Sequence, residues 1–317
     1  MRIAHLAVMP TLHANGLRIA FDTTGDPKAT ALLLIHGLGM QLTNWPDEFV
    51  EGLAELGFYV IRFDHRDCGL STKFEQAGVP NLATARVKAA LGWRLRPAYT
   101  LDDMANDALG VLSALGVARA HLVGVSALGG LVAQLLAARH PQRVLSLTTI
   151  MSTSSRRGLP GPLTRVRKAL MRRPHNAIDA DSVIEHTIGL LRELGSPSYP
   201  TPDTQLRKRV TRSIHRSYCP DGSTRQMLAL IAAGDRSAAL GAITAPTLVI
   251  HGAADPLVPP ACGQDIAASI PGARLELIEG MGHDLPPQLV ERILALIDSH
   301  ASGKMLPYTT ARLFVKQ

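Results

Sequence analysis

The chain has 317 residues, 46% of them hydrophobic, which is enough for a sizeable core in one large domain or two small ones. Its net charge is +7 and only 4% of residues are aromatic, and no basic stretch is interleaved with stacking rings, so no nucleic-acid partner is expected. Cys68, Cys219 and Cys262 are odd in number and far apart, which excludes a disulfide framework and a C-x-x-C metal site; there is also no run of about 18 apolar residues, so a cytoplasmic protein without stable membrane insertion is expected.

In chain order, Leu12 to Asp22 reads as a hairpin because Asn15-Gly16 separates two short runs. Ala31 to Ile35, ALLLI, is a continuous apolar run of the kind found in a strand covered on both faces, and it ends in His36-Gly37-Leu38-Gly39. Asn44 to Leu56 has helical spacing through Trp45, Phe49, Leu53 and Leu56, and Phe58 to Phe63 is the next strand. Asp64-His65-Arg66-Asp67 follows, then a polar connection of low order to about Tyr99. Thr100 to Leu115 is a helix, with Thr100 and Asp103 close to a capping box and Gly116 stopping it.

Ala120 to His140, AHLVGVSALGGLVAQLLAARH, organises the rest of the chain. It reads as a strand, a sharp turn carrying Ser126 and a buried helix, the pattern of a nucleophile elbow. The motif G-x-S-x-G is imperfect, because Leu128 stands where the second glycine belongs and Gly129-Gly130 come one position late. Two registers follow. If the strand sets the register, Ser126 is at the tip and a one-residue bulge is absorbed before the glycines. If the helix sets it, the tip is Ala127, which is inert.

Beyond the elbow, Val144 to Ile150 is another strand, and the alternation of strand and helix implies a parallel, doubly wound sheet. Residues 151–238 are rich in Pro, Ser and Arg, with helical stretches near Arg165 to Met171, Asp181 to Leu194 and Leu206 to Tyr218 and no strand, which reads as a helical lid inserted between core segments 1–150 and 239–300. Thr247 to Ile250 and Arg274 to Ile278 are strands, Gln288 to Ser299 is the final helix, and 301–317 is a tail.

Asp255 lies just past TLVI and His283 just past RLELI, so both sit at the C-terminal strand ends, where open parallel sheets bind ligands. The order Ser126, Asp255, His283 suits a triad in which His283 takes the serine proton and Asp255 fixes the imidazole tautomer. The backbone N–H groups of Leu38 and Ala127 are the candidate oxyanion-hole donors. The Asp64 to Asp67 cluster has the residue types of a metal-ligand set. The arginine-rich stretch 156–173 is read as a solvated helix face, with an anionic substrate or membrane surface as the competing reading.

LLLIHGLG, WPDEF, VIRFDHRDCGLST, HLVGVSALGGLVAQ, TLVIHGAADPLVP and GMGHDLP together resemble the serine-dependent α/β-hydrolase family over roughly residues 11–300. Within it, the chain is most similar to bacterial carboxylesterases of the aclacinomycin methylesterase type. The resemblance implies an α/β-hydrolase fold, a mostly parallel sheet of about eight strands with a helical lid. It also implies cofactor-free hydrolysis of a small or medium apolar carboxylic ester through an acyl-enzyme on Ser126, and an Asp64 to Asp67 loop that holds the site together by hydrogen bonds rather than binding metal. Relatives of this fold that need a carboxylate nucleophile are excluded, since no Asp or Glu occupies the elbow. The alternatives are carbon–carbon bond hydrolysis or perhydrolysis on the same scaffold, or a non-catalytic ligand-binding protein whose elbow is disrupted. A small-molecule ester is the expected partner, and homodimerisation is left open.

Overall fold

The apolar run at residues 30–35 is paired on both sides in the computed structural model, which describes residues 9–304. Eight strands are present: β1 (Thr11–Ala14), β2 (Leu17–Thr24), β3 (Thr30–Ile35), β4 (Phe58–Phe63), β5 (Ala120–Val125), β6 (Val144–Ile150), β7 (Thr247–Gly252) and β8 (Arg274–Ile278). They form one sheet in the order β1-β2-β4-β3-β5-β6-β7-β8. β2 runs antiparallel to β1 and β4, and every later pairing is parallel.

The helices are α1 (Asp47–Glu55), α2 (Leu82–Ala90), α3 (Leu101–Ala114), α4 (Ser126–Arg139), α5 (Thr164–Met171), α6 (Ala180–Leu194), α7 (Asp203–Arg216), α8 (Pro220–Ala233), α9 (Ser237–Leu240), α10 (Pro260–Ser269) and α11 (Val290–Ala301). Alternate residues of β3 feed opposite faces. Leu33 and Ile35 pack with residues of α3, α4 and α10, while Leu32 and Leu34 pack with residues of α1 and α11. A strand buried on both faces cannot alternate polar and apolar residues, which is why β3 is an unbroken apolar run. Between β6 and β7 the chain passes through α5 to α9 without a strand.

The structure departs from the sequence reading in several places. The connection expected to be of low order before Tyr99 carries α2, whose start is fixed by the Asn81 side chain accepting from the Thr84 N–H at 3.0 Å. α8, α9 and α10 have no counterpart in that reading, and α1 starts at Asp47 rather than Asn44. The final helix starts at Val290 rather than Gln288, because Pro287–Leu289 first make a turn of 3-10 helix. The elbow holds no extra residue: α4 runs unbroken from Ser126, and Leu128 is fully buried among the core side chains. Most of the expected tail, residues 305–317, lies outside the described residues.

The strand-to-helix crossing at the elbow tolerates no side chain where Gly124 and Gly129 sit. A Cβ on Gly129 would lie 2.3 Å from the Ile35 carbonyl oxygen, and one on Gly124 would lie 2.5 Å from the Gly129 oxygen. The close approach therefore falls on Gly129, one turn into α4, and position 128 is free to carry a core leucine. Because the obstacle is backbone, Gly129→Ala is expected to destabilise the fold by about 3 kcal/mol, measurable by urea denaturation.

The chain buries several histidines in their neutral form. Burial lowers the pKa of His36, His65, His251 and His300, and takes that of His121 to about 4. In the unfolded chain these groups titrate near 6.5. The unfolded state therefore binds more protons than the folded state as pH falls below that value, and stability declines with it. The melting temperature is expected to be level above about pH 7 and to fall steadily between about pH 6.5 and 4.

Candidate active site

β5 delivers Ser126 at the point where it becomes α4. Ser126 is in the left-handed region with φ of +63°, which costs a residue with a Cβ on the order of 1–3 kcal/mol and persists only where the surroundings hold it. This sharp turn lifts the hydroxyl out of the sheet plane. Ser126 Oγ is 2.9 Å from His283 Nε2, and His283 Nδ1 is 2.7 Å from Asp255 Oδ2. Asp255 and His283 follow β7 and β8 respectively, so three distant segments meet at one rim of the sheet. A carboxylate can only accept, so Asp255 holds the proton of the neutral ring on Nδ1 and leaves Nε2 free to accept from the serine hydroxyl.

Asp255 is buried and aimed by its own loop. Its Oδ1 accepts from the backbone N–H groups of Leu257 at 2.9 Å and Val258 at 2.8 Å, leaving Oδ2 for His283. His251 donates from Nε2 to the Val258 carbonyl at 2.8 Å and so fixes the far side of the same loop. Burial lowers its pKa, consistent with a neutral structural ring.

The residues expected to bind an oxyanion flank the serine. A Cβ on Gly37 would lie 3.0 Å from Ser126 Cβ, so the His36 to Gly39 loop passes directly against Ser126. Next to it, the Gly39 N–H is held by Gln226 Oε1 at 2.9 Å and the Met40 N–H by the Gly37 carbonyl at 3.3 Å. Among the described residues, no protein acceptor takes the Leu38 N–H. Ala127 lies in the first turn of α4, where N–H groups have no partner within the helix and the helix dipole presents its positive end.

A family model for the alpha/beta hydrolase fold matches residues 30–287. The chain belongs to the alpha/beta hydrolase fold family. It is 34% identical to a rhodomycin D methylesterase of Streptomyces sp. (strain C5), over 87% of this chain and 92% of that one. It is 33% identical to a rhodomycin D methylesterase of Streptomyces peucetius, over 92% of this chain and 94% of that one. These two relatives bear out the resemblance to methylesterases drawn from the motifs. The solved meta-cleavage product hydrolase of Pseudomonas fluorescens IP01 superposes with a TM-score of 0.72 at 21% identity, covering 93% of this chain and 97% of that one, a likeness of fold.

In this alpha/beta hydrolase the site is braced by residues that sequence reasoning missed. Gln226 on α8 accepts from Gly39 and donates to the Arg66 carbonyl at 2.9 Å, tying the candidate oxyanion loop to the loop after β4. The Asp64 carboxylate accepts from the Leu42 and Leu70 N–H groups at 2.8 and 2.9 Å and pairs with Arg216 at 2.8 Å. Arg66 makes a two-point pair with Asp107, and Arg225 makes another with Asp67. The four-residue cluster therefore holds loops together, as the sequence suggested. Among the described residues, no group of three or more His, Cys, Asp or Glu side chains is placed to hold a metal ion.

The His283 loop is clamped by the end of α6. His283 N–H donates to the Leu194 carbonyl at 2.7 Å, and Gly282 N–H donates to Ser196 Oγ at 2.8 Å. The Ser196 hydroxyl in turn donates to Asp284, whose carboxyl burial pushes up. No motif announces Gln226, Leu194 or Ser196, because each works through a long-range contact that only the fold creates.

Gln226 offers a direct test of this bracing. Gln226→Leu is expected to leave KM nearly unchanged while lowering kcat on the order of 10²-fold, because a small shift of the Gly37–Gly39 backbone misplaces a transition-state donor. Steady-state kinetics on a soluble ester would read it.

Proposed function

We propose that this chain is a carboxylic ester hydrolase acting through a covalent acyl-enzyme on Ser126. The observation that carries the reading is the unbroken Ser126–His283–Asp255 hydrogen-bond chain, with the serine in a left-handed turn at the head of α4. Ser126 Oγ attacks the ester carbonyl carbon as His283 Nε2 takes its proton, and Asp255 stabilises the resulting imidazolium. The tetrahedral oxyanion accepts from the N–H groups of Leu38 and Ala127, donors already fixed by the loop and helix that carry them. Collapse breaks the carbon–oxygen bond, and His283 returns the proton to the departing alcohol. Water then attacks the acyl-enzyme by the same route, releasing the acid and restoring the serine hydroxyl.

Two relatives named as methylesterases, similar over nearly the whole chain, support a methyl ester of an apolar acid as substrate and methanol as the first product. Residues 151–238 are assigned as a lid, since α6 and α8 from this segment brace the His283 and Leu38 loops. Carbon–carbon hydrolysis draws on weaker likenesses, a 2-hydroxy-6-oxononadienedioate hydrolase of Cupriavidus pinatubonensis at 27% identity and the solved meta-cleavage product hydrolase at 21%, both below the 33–34% of the methylesterases. A cytoplasmic location is proposed because all three cysteines are free. Among the described residues, no helix is long and apolar enough to cross a membrane.

The test is methanol release from a panel of apolar methyl esters, run beside diketone and peracid assays. Ester turnover with no diketone cleavage supports the reading, and diketone cleavage without ester turnover overturns it.

A further inference from the structure

We propose that α2 and the turn that follows it form a docking surface for an anionic lipid membrane. The helix is short and buries only Ala85, yet it is held firmly at both ends. Asn81 caps its start. At its end, left-handed Gly92 donates to the Ala89 carbonyl at 3.0 Å and Trp93 to the Lys88 carbonyl at 2.9 Å, the paired bonds of a Schellman stop. A large residue in the Trp93 position normally folds back against the helix, but Trp93 is 61% exposed. Val87 and Leu91, four residues apart and thus on one stripe, are 60% and 61% exposed, and Val79 is exposed beside them in the chain. Caps rather than burial therefore order this segment, and its large apolar side chains point outward.

The charge around that stripe selects the partner. Arg86 and Lys88 flank Val87, and Arg94 and Arg96 follow Trp93; all four are exposed, and no acidic residue occurs between Glu75 and Asp102. Among the described residues, none of the four cations is in an ion pair. The helix against which α2 packs, α8, carries a single acid, Asp221, in its first turn. Exposed apolar side chains and a tryptophan in a stretch that carries four exposed cations and no acid match an anionic lipid interface, which takes the first into its acyl boundary and attracts the second. This charge match is why a lipid surface is favoured over a second copy of a chain that is itself net basic.

The surface is one layer from the active site. α8 supplies Gln226, which holds the Gly39 N–H, and a Cβ on Gly39 would meet Ser223 Oγ at 2.7 Å. A docked membrane would therefore set the site beside a reservoir of apolar esters. That consequence alone rests on the proposed activity; the docking does not.

The experiment follows Trp93 fluorescence with vesicles of equal parts phosphatidylglycerol and phosphatidylcholine, against phosphatidylcholine alone. The chain has two tryptophans and Trp45 is buried, so a Trp93→Phe control isolates the signal. The expected result is a blue shift, quenching by brominated acyl chains on the anionic vesicles only, and weaker binding in high salt. Each of Arg86→Gln, Lys88→Gln, Arg94→Gln and Arg96→Gln should weaken sedimentation with those vesicles about fivefold. Turnover of a soluble ester should be unchanged in all of them, which separates failure of docking from failure of the enzyme reading. Absent binding, equal binding to neutral vesicles, or a blue shift that tracks protein concentration without lipid would overturn the proposal.

Discussion

Replacing Ser126 with alanine is expected to lower kcat on a soluble ester on the order of 10⁵-fold while leaving the melting temperature within a few degrees of the parent. In the proposed mechanism this hydroxyl forms the acyl bond, and its removal leaves His283 Nε2 without the partner it has at 2.9 Å. Binding and the oxyanion donors remain, so a small residual rate above uncatalysed hydrolysis should persist. The side chain lost is small and only partly buried, and an alanine in the left-handed turn suffers the same backbone strain as the serine. The loss should therefore appear in turnover and not in folding. Equal losses in activity and stability would point instead to a structural serine.

Asp255→Asn is expected to reduce kcat about 10⁴-fold with little change in KM. The carboxylate accepts from three donors: the N–H groups of Leu257 and Val258 at one oxygen and His283 Nδ1 at the other. An asparagine can keep its carbonyl oxygen on the two backbone donors only by turning its NH₂ toward His283. The ring must then present a bare Nδ1, which moves the proton to Nε2, the atom meant to receive the serine proton. The tautomer is inverted while the heavy atoms stay in place. Because both residues act through one proton transfer, the double variant with Ser126→Ala should be no slower than Ser126→Ala alone. An additive double loss would mean that Asp255 acts by another route.

The sheet was legible because its strands carry their burial in their composition. ALLLI has no polar position to spare, and Asn15-Gly16 can only turn. The positions of Ser126, Asp255 and His283 were legible for a related reason, since each closes a strand whose end is marked by a tight loop. The elbow misled because a motif counts positions and a fold counts contacts. The close approach to β3 falls on Gly129, so Leu128 fills the core and nothing is inserted. α2 was missed because its stability comes from its two ends and not from an apolar face. Gln226 and Ser196 were illegible in principle: each braces a loop far away in sequence, and hydrogen-bond partners separated by 187 and 86 residues leave no local trace.

The most direct measurement is covalent labelling with a fluorophosphonate, followed by intact mass and peptide mapping. Attack by an activated serine predicts one adduct per chain, on Ser126, formed rapidly in the parent and abolished by Ser126→Ala. An enzyme that hydrolyses esters while remaining unlabelled, or that carries the adduct on a different residue, would contradict the assignment of Ser126 as the nucleophile.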